Sequence, residues 1–475
     1  MREEEGESRG TIGHLAIVLH SHMPYVEGFG TYPFGEEWLF DAACRSYLPV
    51  LEVAQRLTVT VTPVLADQLE DPGTRGRLRD FLLRYRVEAA QRDVEVVDDE
   101  LRPAAEAELA RYRHALELLD AAGGDVLDAF RRAQHERGIA LVPSSASHAV
   151  LPMLATRAGM RLQLETGLRS HRRRFGHAAG FWLPECAYRP GLEWDLAEHG
   201  VEWFCVDQSA SERPLEALTP IATEAGPVAF PIDWEAVLWL WSLGGYPSDR
   251  AHLQFHTKSM AGMRLWRIGG EPYDPAAAAA AARRQADEFA AAAAARLRRF
   301  RDRHGHPGLL VFAIDTELLG HWWAEGPQWL SAALEAVPAH GVRLVTLDEA
   351  RGLHRPEPRP LRGSSWGEGK DLRTWDSPRV ADLAGAARRL ELRLLRALAQ
   401  GTDGGRGERA ARELLALQAS DWAFLDIRGD AGDYPFQRAT GHAEALLEAL
   451  DSARPPHPHM RAFAPDLSLS SLLQP

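Results

Sequence analysis

Short apolar runs rich in branched side chains recur along the chain, each closed by a turn or a helix signal. Seven stand out: His14–His20 (HLAIVLH), Thr58–Leu65 (TVTVTPVL), Ile139–Val142, Gly180–Leu183, Glu202–Val206, Leu309–Ile314 (LLVFAI) and Val342–Val345. Most are continuously apolar rather than alternating, the pattern of parallel strands covered on both faces. Helical periodicity fills the intervals, so the pattern predicts βα units closed into a barrel or spread in a doubly wound sheet. Two intervals exceed what one crossover needs. Residues 67–138 read as a helical insertion. Residues 207–307 read as an irregular Trp-rich loop followed by an alanine-rich helix, Pro275–Phe300, with Asp274 as its N-cap.

Past Arg355 the pattern changes. PEPRP at Pro356–Pro360 reads as a linker, and Gly363–Trp375 as a polar Gly/Ser/Trp segment. Helices are predicted over Ala381–Ala399, Arg406–Leu425 and from Tyr434 to about Ala453, before a Pro-rich tail. The organisation expected is a catalytic α/β barrel over residues 1–355 that carries both insertions. A helical C-terminal domain over 356–475 follows and contributes the Trp-rich segment.

Composition narrows the partners. At 475 residues, 45% hydrophobic and 25% charged, the chain has the make-up of a globular protein with a large core. A net charge of −13 argues against a nucleic-acid partner, whose phosphates need a basic face. Cys44, Cys186 and Cys205 cannot build a disulfide scaffold and show no C-x-x-C spacing. The opening MREEEGESRG is the opposite of a signal peptide, and Ala276–Ala282 is too short to span a bilayer. The expectation is a cytoplasmic monomer with no membrane partner. The fourteen tryptophans are the unusual feature, because several fall in polar, Gly-rich stretches.

In α/β barrels the strands' C-terminal ends converge on one face, and catalytic side chains sit there. Reading just past the runs gives His20 and His22, Ser144, Ser145 and His148, Glu185, Asp207, and Asp315 with Glu317. Some of these, Asp207 and Ser144 above all, are as well explained as helix caps; the whole set is not. Glu185 is hemmed by Trp182, Pro184 and Tyr188, and Asp315 directly follows an apolar run. A carboxyl against apolar walls loses hydration, its pKa rises and it can deliver a proton. Two such carboxyls from different strands make a glycosidase pair, and a separation of about 5–5.5 Å would mean retention through a glycosyl intermediate.

His20 and His22 offer a second chemistry. Positions i and i+2 of an extended segment point the same way, so H-x-H with Asp315 as third ligand would make a zinc-dependent polysaccharide deacetylase. The alternative is that both histidines bind sugar hydroxyls or orient a carboxylate. Trp182, Trp203 and Trp329 lie in core contexts. Trp38, Trp322, Trp323, Trp366 and Trp375 lie in Gly- or acid-rich loops and read as stacking platforms for sugar rings. The stretch Trp239–Pro247, with paired glycines and Tyr246, reads as a mobile lid or as an ordinary turn.

These motifs resemble glycoside hydrolase family 57 and, within it, the 1,4-α-glucan branching enzymes. Val18–Tyr25 with Pro33–Trp38 is similar to the family's first region, Ser147–Leu154 with His148 to its second and Trp182–Tyr188 to its third. Asp315–Trp323, with His321, resembles the fourth, and Ser364–Asp371 with Trp375 the fifth. The likeness extends to Ser420-Asp-Trp422. It implies a distorted (β/α)7 barrel and a retaining mechanism without metal or cofactor, with Glu185 as nucleophile and Asp315 as acid/base. It also implies an α-1,4-glucan substrate, Tyr246 on the branching loop, and His20, His22, Trp38, His148, His321, Trp322, Trp366, Trp375 and Trp422 as substrate-binding residues. Runner-up activities are those of an α-amylase or 4-α-glucanotransferase of the same family. The chain departs from the family pattern at Ser147-His148-Ala149, at Ile314 and at Tyr32.

Overall fold

A computed structural model of the chain describes residues 11–27, 30, 34–210, 214–451 and 462–473. The acidic first ten residues, Tyr32 and most of the Pro-rich tail lie outside them. The first apolar run forms β1 (Gly13–Ser21), buried along its whole length. It is followed by β2 (Thr58–Val61), β3 (Ala140–Val142), β4 (Gly180–Phe181), β5 (Trp203–Asp207), β6 (Ile221–Ala222), β7 (Val228–Ile232), β8 (Leu309–Asp315), β9 (Val342–Leu344) and β10 (Glu357–Pro358).

Seven of these close a parallel ring. β3, β2, β1 and β8 pair in that order, as do β4, β5 and β7. The two arcs meet through isolated contacts rather than a continuous ladder. Trp182 N–H donates to Pro143 O at 2.8 Å between β4 and β3, and Asp233 N–H donates to Val311 O at 2.8 Å between β7 and β8. The fold is a distorted (β/α)7 barrel, with staves as short as two residues.

The seven staves are not the seven runs read from the sequence. Val342–Leu344 pairs only with the first residues of β1, Gly13–Leu15, and adds a short strand beneath the ring. The seventh stave is β7, in the stretch read as an irregular loop. Its VAFPI holds Pro231, a residue that lacks the ladder N–H and so disguises a strand. The run Thr58–Leu65 ends as a strand at Val61, because Pro63 opens a helix, Pro63–Glu70. Part of the supposed linker, Glu357–Pro358, pairs with β6.

Helices cover the ring. Asp274 caps the alanine-rich helix by accepting from Ala276 and Ala277 N–H, and the helix runs to His304, where Gly305 takes a left-handed conformation. Alanine lets this helix lie close to the core, burying Ala278, Ala282, Ala286, Ala290 and Ala293. Residues 381–399, 404–417 and 434–451 form C-terminal helices around Leu394, Leu414 and Leu446, and this core also takes in Leu162 and Ala146 from the barrel side. The helix expected over Arg406–Leu425 is two, Gly404–Leu417 and Asp421–Arg428. The break at 418–420 turns out to matter for the site.

Candidate active site

Parallel pairing brings every stave's C-terminal end to one rim. The β1–β8 register sets His20 beside Asp315, so two predicted residues are neighbours across adjacent strands. Glu185 sits just past β4 in a tight turn with φ 59°, and Cys186 (48°) and His148 (62°) also have left-handed backbones. Left-handed geometry is costly for residues with a Cβ and persists where surrounding structure over-determines it. Here it turns Glu185 and His148 inward from consecutive rim segments.

The side chains form a connected set. Ser420 Oγ donates to Glu185 Oε1 at 2.8 Å and also lies 2.9 Å from His148 Nδ1. His148 Nε2 lies 3.0 Å from His20 Nε2. His22 uses Nδ1 on Thr62 Oγ1 (3.1 Å) and Nε2 on Asp421 (3.0 and 3.2 Å). The three imidazoles stack in a row, with ring centroids 4.1 Å apart for His22–His148 and 4.8 Å for His20–His148; Trp182 covers His20 at 4.7 Å. Trp366 N–H donates to Glu185 O at 2.7 Å, and its ring meets Trp182 edge-on, closing one wall.

Burial sets the charges. It raises Glu185 to about 7, with Asp421 and Asp315 adding to the rise and the Ser420 hydrogen bond and His22 opposing it. Burial likewise lifts Asp315 to about 6, against the pull of His22. Asp315 is thus one of the charges that raise Glu185, and of the two carboxyls Glu185 holds its proton to the higher pH. Burial keeps His20 and His148 neutral, well below the usual imidazole range. The same burial acts on His22, but the Asp421 carboxylate outweighs it and raises the imidazole. Glu317 is pushed to about 8 by burial and by Asp315; it accepts from the Tyr47 hydroxyl and, at 3.0 Å, from His22 N–H.

The metal alternative fails on donor geometry. His20 faces His148 rather than Asp315, and both ring nitrogens of His22 are engaged by Thr62 and Asp421. His22, His148 and Asp421 do approach within 4.8 Å. Each of those histidine nitrogens has a protein partner in the structure, and neither His20 nor Asp315 belongs to the group.

The structure gathers His20, His22, His148, Glu185, Asp315 and Trp366, and disperses the rest. Trp375 is buried, and its Nε1–H donates to Ser420 O at 3.2 Å. Trp422 is buried in the C-terminal bundle, donating to Ala416 O. Trp323 packs on His252 and Trp329 in the core. None of these three offers a ring face to a sugar, because each indole is wedged between helices or loops. Trp38 lies half-buried on the helix Glu36–Ala42, not in a loop. His321 is buried against Asp41 at 2.9 Å, whereas Trp322 is exposed and rests on Phe255. Tyr246 is half-buried against Trp329 and makes no contact with the carboxyl pair.

Ser420, Asp421 and Tyr47 were not foreseen as site residues, and Glu317 was placed at a strand end without a role. Tyr47 arrives on a π-helical turn, Ala43–Tyr47. Asp207 does cap locally, accepting from Ser209 N–H at 2.8 Å, but it also holds Lys370 Nζ at 3.1 Å. That ion pair ties the Gly363–Trp375 segment to the β5 rim.

Comparison with known proteins gives the family. A family model for glycosyl hydrolase family 57 matches residues 16–360. A probable 1,4-α-glucan branching enzyme of Mycobacterium tuberculosis is 34% identical over 484 residues, covering 92% of this chain and 91% of that protein. The crystal structure of a branching enzyme from Pyrococcus horikoshii superposes with a TM-score of 0.88 at 31% identity, covering 92% of this chain and 90% of that one. An α-amylase of Thermotoga maritima follows at 0.83 and 27% identity, covering 92% and 93%. The chain belongs to glycosyl hydrolase family 57.

Proposed function

We propose that the protein is a retaining 1,4-α-glucan branching enzyme. The observation that carries this reading is the placement of two buried carboxyls at one rim, Glu185 in the turn after β4 and Asp315 at the end of β8, with Asp315 among the charges that raise Glu185. The relatives named as branching enzymes match along nearly the whole chain and supply the substrate class. Asp315 protonates the glycosidic oxygen as Glu185 attacks the anomeric carbon, giving a glycosyl ester on Glu185 and a departing chain end. Asp315, now ionised, then takes the proton from an incoming 6-hydroxyl, whose oxygen displaces Glu185 and forms an α-1,6 bond. The histidine row and Trp366 wall off the reacting sugar, and Trp322 offers an exposed ring farther out. Positioning of the acceptor by remote sugars lets it outcompete water.

The barrel reading extends over residues 1–355 and the helical part over 356–475, which contributes Ser420 and Asp421 to the site. The enzyme is read as a cytoplasmic monomer acting on a glycogen-like polymer. Among the described residues no helix is long and apolar enough to cross a membrane. Amylose incubated with the protein should gain α-1,6 linkages by NMR without a matching rise in reducing ends. Release of reducing ends with no new branches would replace branching with amylase activity, and elongated unbranched chains would replace it with 4-α-glucanotransferase activity.

A further inference from the structure

A carboxylate that attacks a sugar must be ionised and aimed while its neighbour keeps the proton. Two buried carboxyls facing one cleft do not make that choice by themselves; the hydrogen bonds around them do. Among the described residues no donor reaches the Asp315 carboxyl, so it is free to meet a ligand oxygen. Glu185 differs, because Ser420 Oγ donates to its Oε1.

The positions of the hydrogens follow from counting donors and acceptors. A hydroxyl has one hydrogen, and Ser420 commits it to Glu185, so it must accept from His148 Nδ1. That fixes His148 as the Nδ1–H tautomer, with a lone pair on Nε2. His20 Nε2, 3.0 Å away, then supplies the hydrogen, leaving its own Nδ1 bare; that atom has no partner. Every hydrogen in the row His20, His148, Ser420 points toward Glu185. Both imidazoles must be neutral for this order, as their burial requires.

Ser420 is held independently of its hydroxyl. Its N–H donates to His148 O at 3.2 Å, and its carbonyl accepts from Trp375 Nε1. It sits at the break between the helices Gly404–Leu417 and Asp421–Arg428 and meets a residue 235 positions earlier in the chain. The charged or titratable groups that face Glu185 are Asp315 from β8, Asp421 from the following helix, and His22 and His148 from the β1 and β3 loops.

We propose that Ser420 is a positioning residue: oriented by His148 and through it by His20, its hydroxyl favours the ionised form of Glu185 and aims it. This rests on Glu185 being the nucleophile. Rates of transfer on amylose are measured from about pH 4.5 to 9 for wild type, Ser420→Ala, Ser420→Thr and Glu185→Gln. Without the donor the ionised form of Glu185 is disfavoured. The acid limb of kcat/KM should therefore move up by about one pH unit, with kcat about tenfold lower and KM little changed. Threonine keeps the hydroxyl and should return the limb to its wild-type position. An acid limb that stays put in Ser420→Ala, with or without a lower rate, overturns the proposal. Should the alanine variant fail to fold by circular dichroism, Ser420→Cys replaces it. A thiol donates weakly, so an upward shift supports the proposal and an unmoved limb overturns it. Activity in Glu185→Gln would instead overturn the nucleophile assignment itself, a separate failure.

Discussion

Replacing Glu317 by glutamine should make the protein more stable, and increasingly so as pH rises. Glu317 is buried beneath the cleft and holds its proton to about 8, against an ordinary value of 4.5. Below about pH 4.5 the group is protonated in both the folded and the unfolded chain and has no effect on the balance between them. Between 4.5 and 8 the unfolded chain ionises while the folded one does not, so stability falls with rising pH, and above 8 the loss is complete. At 1.36 kcal/mol per pH unit the full gap would correspond to about 5 kcal/mol. Part of the rise comes from the Asp315 charge, and a folded chain relaxes around a buried charge, so about 1–2 kcal/mol at pH 8 is the expected effect. Glutamine preserves the geometry, because its Oε1 still accepts from Tyr47 and from His22 N–H. Thermal unfolding of the two proteins at pH 5, 7 and 8.5 measures the difference. Entropy of about 2.1 cal/mol/K per residue converts it to roughly 1–2 °C at the highest pH. A variant less stable than wild type at pH 8.5, or a gain that shrinks as pH rises, would refute the reasoning.

Four further outcomes follow. Glu108 is as buried as Glu317 but paired with Arg45 and Arg111, which outweigh burial and bring it down to about 2. Glu108→Gln should therefore destabilise by about 3 kcal/mol at pH 7, with the penalty shrinking as pH falls from 4.5 toward 2; denaturant titration at several pH values checks the sign. Activity should be bell-shaped with limbs near 6 and 7, since below them no nucleophile is ionised and above them no acid remains; a rate still rising at pH 9 would contradict the pair. Trp375→Phe should lower kcat through Ser420 with KM unchanged, while Trp322→Ala should raise KM several-fold with kcat unchanged, both read from amylose saturation curves.

Comparing these residues with the sequence pattern shows what periodicity can carry. Six of the seven staves announced themselves as apolar runs because a parallel strand is buried on both faces. β7 did not, because Pro231 and the neighbouring turns gave it the look of a loop. The rim positions of Glu185 and Asp315 were legible because strand ends are a fixed address in this fold. Ser420 and Asp421 were not, since no local pattern says which distant helix start will dock against a rim. In the sequence, Ser420-Asp-Trp422 stands out by its tryptophan. One helical residue turns the side chain by 100°, enough to send Trp422 into the bundle while Asp421 faces His22. The tryptophans misled for a related reason: an indole in a polar stretch can be buried if its N–H finds a carbonyl, as Trp375 and Trp422 do.

The helix break at 418–420 also sets an order of events during synthesis. All seven staves have been made once β8 ends at Asp315, and the barrel can close around Glu185 from that point. The hydroxyl that orients Glu185 emerges more than a hundred residues later. At about 5–20 residues per second, a ribosome leaves the closed barrel without its Ser420 for several seconds to tens of seconds. The nascent chain thus carries both carboxyls before the hydroxyl that bonds Glu185 has been made. On the proposed mechanism, competence to cut glucan arrives with the C-terminal helices rather than with the barrel.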